Sequence, residues 1–196
     1  MSSYGSDASG IDLLAGASAT IDENIISGHD ELGVSVYQGA FARINGNEIS
    51  GNGNCGIAVG GSATARGNDN TIIGNDFCGV GVFQHSSYRS NGDTIEQEDG
   101  LYKYAVEVAR HSYADIRNFT ATGAIEVNKA SVLYLKGTGG KTATVNGDID
   151  VLNLSMVIIP AKVDLNGTYL PTCDKTSVCV CNPWAVPTPI VCIQEE

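Results

Sequence analysis

Apolar and polar residues alternate in short, strand-length runs along most of the chain, and the runs themselves recur. A branched apolar residue opens each recurrence at Ile11, Val34, Ile57, Val80, Val106, Ile125 and Ile149, with spacings of 23, 23, 23, 26, 19 and 24 residues. A period of that length enclosing period-two alternation predicts β coils stacked into a solenoid. Two residues on, Leu13, Val36, Val59, Val82, Val108, Val127 and Val151 form a second apolar column, so each coil turns two branched side chains inward. Between them Asp12, Ser35, Ala58, Gly81, Glu107, Glu126 and Asp150 face outward.

Four residues after the second column the side chain is always small: Ala17, Ala40, Ala63, Ser86, Ser112, Ser131 and Ser155. Where two sheets meet at an angle the interior narrows, and only a methyl or hydroxymethyl fits. The next inward positions are Ala19, Ala42, Ala65, Tyr88, Ala114, Leu133 and Val157, then Ile21, Ile44, Gly67, Ser90, Ile116, Leu135 and Ile159, so the core thickens toward the C-terminus. A third, shorter strand is marked by Ile26, Ile49, Ile72 and Ile95. Asn24, Asn47, Asn70 and Asp93 precede these by two residues, and Gly28, Gly51 and Gly74 follow by two, as sharp coil corners and amide stacks along an axis require. The pattern predicts an all-β fold, a parallel β-helix of three strands per coil and about seven to eight coils.

The runs Gly33-Val-Ser-Val36, Ala40-Phe-Ala-Arg-Ile44 and Gly46-Asn-Glu-Ile-Ser-Gly-Asn52 resemble the right-handed parallel β-helix repeats of the pectate-lyase-like superfamily. The resemblance covers residues 10–167 and implies a right-handed coil. It says little of activity, because that group holds polysaccharide lyases, glycoside hydrolases, phage tailspikes and surface proteins on one repeat.

A length of 196 residues and a formal charge of −11 fit one domain and argue against nucleic acid or an anionic membrane as a partner. Nothing approaches the roughly 18 consecutive apolar residues of a membrane span. Met1 is followed by polar residues to Gly10 with no apolar run, so we read no signal peptide and take Met1 as a start added to a mature or excised segment. The first coil has no amphipathic helix to cap it, which leaves room for a neighbouring chain or for end-to-end stacking.

Six cysteines divide into two sets. Cys55 and Cys78, 23 residues apart, occupy equivalent corners of adjacent coils, either as a bridge or as two stacked thiols following Leu32. Cys173, Cys179, Cys181 and Cys192 lie in a segment, residues 170–196, that also holds Pro171, Pro183, Trp184, Pro187 and Pro189. No C-x-x-C pair is present, so two disulfides are expected rather than zinc, together with an oxidising compartment. The chain thus divides into a β-helix over 1–169 and a Cys/Pro-rich cap over 170–196.

Arg43, Arg66 and Arg89 repeat at 23 and should form an outward ladder on one sheet. Tyr37 and Phe83, with Gln38 and Gln84 beside them, recur at one turn. Guanidinium groups, aromatic faces and amides together suit an acidic polysaccharide; the plainer reading is an arginine stack neutralised by Glu48 or Asp69. Asp69, Asp76, Asp93 and Asp99 are the candidates for calcium, without a ligand spacing that repeats. The stretches His29-Asp30-Glu31 and Arg110-His111 offer acid and base types without a stacked partner, and Glu107, Glu126 and Asp150 are the available paired carboxylates, more simply read as solvating the sheet. Asn118, Asn153 and Asn166 head glycosylation sequons. The expectation is a secreted or cell-surface module, non-catalytic, binding a glycan or a protein and needing no cofactor. The alternatives are a polysaccharide lyase or glycoside hydrolase, and a filament or spike unit.

Overall fold

The computed structural model describes residues 8–98, 103–160, 163–166, 172–181 and 193–194. Among them every regular element is a strand. The first coil sets the plan with strands Ile11–Leu13, Ser18–Asp22 and Ile25–Ser27, after which the chain returns to lay Val34–Val36 parallel to Ile11–Leu13. Repetition builds three parallel sheets of nine, eight and seven strands, which we number 1, 2 and 3 in the order the chain enters them.

The columns read from the sequence are the observed register. Ile11 pairs with Val34, Val34 with Ile57, Ile57 with Val80, Val80 with Val106, Val106 with Ile125 and Ile125 with Ile149. From Val34 onward these residues are fully buried, and each contributes about 1.5–3 kcal/mol relative to an exposed side chain. The departures from 23 are absorbed at corners. The spacing of 26 falls between strands Thr94–Glu96 and Tyr104–Val108; the spacing of 19 arises because Gly123 alone separates Thr120–Thr122 from Ala124–Val127. Gly123 has φ 111°, and a Cβ there would press on the Gln97 carbonyl, so only glycine makes that corner.

Polar columns run inside the apolar ones. Asn24 donates its backbone N–H and its Nδ2 to Asn47 Oδ1, Asn47 does the same to Asn70, and Asn70 to Asp93 Oδ1 at 2.9 and 3.0 Å. The small column is more than a steric choice: from Ser86 onward each hydroxyl accepts the N–H of the equivalent residue one coil earlier, through Ser112, Ser131, Ser155 and Ser177. Inside the fourth coil Tyr88 stands where its neighbours have alanine. Its ring reaches over Gly67, and its hydroxyl donates to Asp93 Oδ2 at 2.8 Å.

Residues 172–181 prolong the stack. Thr172–Cys173 extends sheet 1 and Val178–Cys181 extends sheet 2, so this part of the Cys/Pro-rich segment is a further coil and not a separate layer. A disulfide joins Cys173 to Cys179 with Cα atoms 6.1 Å apart. It crosses the interior at the positions that Val151 and Val157 hold one coil before. The Cys181 side chain, Cys192, the four prolines, Trp184 and Asp99 lie outside the described residues.

Candidate functional site

The outer face of sheet 1 carries a trough. Its floor in the second to fourth coils is small: Ser35, Ala58 and Gly81 point outward as the alternation requires, yet all three are buried. Side chains from the turns on both flanks cover them. On one flank the position read at Tyr37 and Phe83 is glycine in the coil between, Gly60. The Tyr37 ring lies where a Cβ on Gly60 would be, and Phe83 folds back over Gly81. On the other flank stand Leu32, Phe77 and Tyr104 around the Cys55–Cys78 bridge, whose Cα atoms are 4.3 Å apart. The bridge, not the pair of free thiols, is the observed state. Phe77 and Tyr104 meet edge to face at 6.0 Å.

The trough opens into a pocket of about 280 Å³ lined by both flanks and closed at one end by Glu107, Arg110 and Lys129, with Gln84 at its rim. Glu107 was read as solvating the sheet, but it is half-buried and its Oε2 has no hydrogen-bond partner. Burial, reinforced by the neighbouring Glu126 carboxylate, pushes its carboxyl up to about 7 against the pull of Lys129 and Arg110. Glu126, directly opposite Glu107 in the next coil, accepts from the Asn128 amide at 3.1 Å and lies near Tyr104. Burial and the nearby Glu126 carboxylate together raise the Tyr104 phenol to about 12. Burial also raises the Tyr37 phenol. A carboxyl near neutrality, a neighbouring carboxylate held by an amide and aromatic walls can bind a polyol or exchange a proton with it.

The arginine ladder stands elsewhere. Arg43, Arg66 and Arg89 are paired in register on the outer face of sheet 2, while Tyr37, Phe83 and Gln84 line the sheet 1 pocket; Gln38 is exposed on the turn between the two sheets. The structure therefore does not bring the predicted set together. Neither Glu48 nor Asp69 pairs with the row. Its carboxylate is Asp115, 1% exposed, which holds Arg89 Nε at 3.2 Å and takes both Arg117 Nε and Nη2 at 2.8 and 2.7 Å.

Of the calcium candidates, Asp93 is spent inside the core, where burial raises its carboxyl against the bonds from Asn70 and Tyr88. Among the described residues no three His, Cys, Asp or Glu side chains converge as a metal cage. His111 stacks on His85 at 5.1 Å, both in left-handed turn positions. The amides of Asn118, Asn153 and Asn166 donate to Asn91, Asn128 and Asn146 one coil earlier. Sequence reasoning missed the trough and a second buried amide step, Asn52 to Asn75 at 2.9 Å, although both residues follow a turn glycine at the same interval.

A family described as right handed beta helix region matches residues 2–95, the stretch holding the first four coils. The handedness implied by the resemblance is thereby supported, and the fold is a right-handed parallel β-helix. No curated protein and no solved structure matches the chain significantly. Two disulfides indicate an oxidising environment. No helix among the described residues is long and apolar enough to cross a membrane.

Proposed function

We propose that this chain is a non-catalytic module, secreted or displayed at a cell surface, that binds a glycan in the trough on sheet 1. The observation that carries the reading is the pairing of aromatic walls with converging polar groups in one pocket. A pyranose presents an apolar C–H face and a rim of hydroxyls; Tyr37, Phe77 and Phe83 supply the apolar contact, and Glu107, Gln84, Arg110 and Lys129 the hydrogen bonds. The test is calorimetric titration with a panel of plant, algal and bacterial oligosaccharides. At least one should saturate the wild type, and both Tyr37→Ala and Glu107→Gln should weaken it by about tenfold or more, the worth of one good contact. A panel that never saturates, or a Tyr37→Ala protein that binds as well as wild type, sinks the reading.

The raised Glu107 carboxyl favours a second reading, a glycoside hydrolase or lyase. A group near 7 with a carboxylate one coil away is the arrangement that separates a general acid from its partner. Release of reducing ends or of unsaturated uronates from the same panel, abolished in Glu107→Gln, would select it over simple binding.

A further inference from the structure

We infer that the outer face of sheet 2 is a second binding surface, for a linear anionic glycan laid along the coil axis. The inference does not rest on the sheet 1 pocket, and the two can fail separately.

The first support is charge placement. Five of the chain's eleven cationic side chains, Arg43, Arg66, Arg89, Arg117 and Lys136, stand in five successive strands of sheet 2. The strands of that sheet hold only two carboxylates, Asp22 and Asp115. Asp115 is consumed by Arg89 and Arg117, and Asp22 accepts the Asn45 amide at 2.7 Å. Arg43 and Arg66 are exposed and make no ion pair among the described residues. A chain of net charge −11 thus keeps a cationic strip along one face. Register pairing stacks Arg43, Arg66 and Arg89 in one column, which Asp115 continues, and Arg117 and Lys136 in a second column two residues along. Neighbours within a column stand about one strand spacing, ~4.8 Å, apart, where two like charges repel by roughly 1 kcal/mol even at the dielectric of water. An anion between neighbours removes that cost and gains forked hydrogen bonds.

The second support is shape. Arg66 and Arg89 form the ridge between two shallow grooves of about 160 and 360 Å³. Thr64, Ser87 and Tyr113 line one; Asn68, Asn91 and Thr138 line the other. Neutral hydroxyls and amides beside two short columns of cationic groups match a chain bearing isolated charges among hydroxyls. A nucleic acid fits less well, because its dense phosphates meet the repulsion of the whole acidic molecule while only this one face attracts them.

The experiment is fluorescence anisotropy at low salt with four labelled probes: an oligogalacturonate, a sulfated oligosaccharide, a neutral oligosaccharide of the same length and a single-stranded oligonucleotide. One or both anionic glycans should bind at least about tenfold tighter than the neutral one, and added salt should weaken them. Which of the two binds identifies carboxylate or sulfate as the anion. Arg66→Ala, an exposed change that leaves the core intact, should cost about tenfold or more, and Arg66→Lys should restore only part, since an ammonium cannot fork. An oligosaccharide held by the sheet 1 pocket should bind Arg66→Ala as it binds wild type, because Arg66 does not line that pocket. Equal binding of the neutral chain, no saturation by either anionic glycan, indifference to Arg66→Ala, or an oligonucleotide that binds as tightly as the glycans would each overturn the inference.

Discussion

Glu107→Gln tests the reading of the trough without any ligand. In the folded protein the Glu107 carboxyl titrates near 7, against an ordinary value of 4.5. Below 4.5 it is protonated in both folded and unfolded states and has no effect. As the pH climbs, the unfolded chain ionises first and is favoured, so stability is lost between about 4.5 and 7 and levels off above. At about 1.4 kcal/mol per unit the full difference is about 3 kcal/mol, and solvent reaching a half-buried group trims it to about 2–3. Glutamine keeps the shape and never charges. Urea denaturation of both proteins from pH 5 to pH 8 isolates the effect, because every other titrating group is common to the two. The variant should gain about 2–3 kcal/mol on wild type over that range, or ~5–10 °C in a melting experiment at this chain length. Parallel stability curves for the two proteins would refute the argument, and with it the claim that the trough keeps water from that carboxyl.

Three further outcomes follow from the packing. Tyr88→Phe removes the donor to Asp93 Oδ2 within the core and should cost about 1–3 kcal/mol by urea denaturation, more at neutral than at acid pH. Gly60→Ala drives the Tyr37 ring off its seat; oligosaccharide affinity should fall by about tenfold or more while the far-ultraviolet dichroism keeps its strand signature, and unchanged affinity would remove Tyr37 from the site. Replacing both Cys55 and Cys78 by alanine opens a loop of 23 residues and should lower stability by about 3 kcal/mol, read as a shift of the denaturation midpoint.

The coil was legible because stacking forces like side chains above like, so Val36, Val59 and Val82 reveal the register with no other information. The faces were less legible, because alternation says which way a side chain leaves the strand and not where a long one comes to rest. Tyr37 and Phe83 leave the turn beside sheet 2 but lie on sheet 1, a direction decided by the missing Cβ atoms of Gly60 and Gly81. The alternation of aromatic, glycine and aromatic at 37, 60 and 83 was the available signal. Asp115 escaped notice for a different reason. It continues the arginine column at an interval of 26, the same insertion that separates Val80 from Val106, and a search at 23 stops one coil short. In the serine column, size was readable and the accepted hydrogen bond was not, because alanine fills the same space in the first coils.

The buried amide column has a direction. Every asparagine in it donates its backbone N–H and its amide forward to the oxygen of the next coil, and its amide also back to a carbonyl of its own or the previous coil; the row closes on Asp93, and the next residue in that file is the Phe119 ring. Asp93 is therefore a terminus: an asparagine in its place would lose the oxygen that accepts from the Tyr88 hydroxyl and would find no acceptor in the next coil, where Phe119 stands. Whole 23-residue units inserted between Asn47 and Asp93 would find donor and acceptor waiting on either side, whereas a unit copied from that stretch and spliced in after Phe119 would arrive with its amide facing carbon. The amide column thus accepts further units only on the N-terminal side of Asp93, and the coils beyond it stack on an apolar file instead.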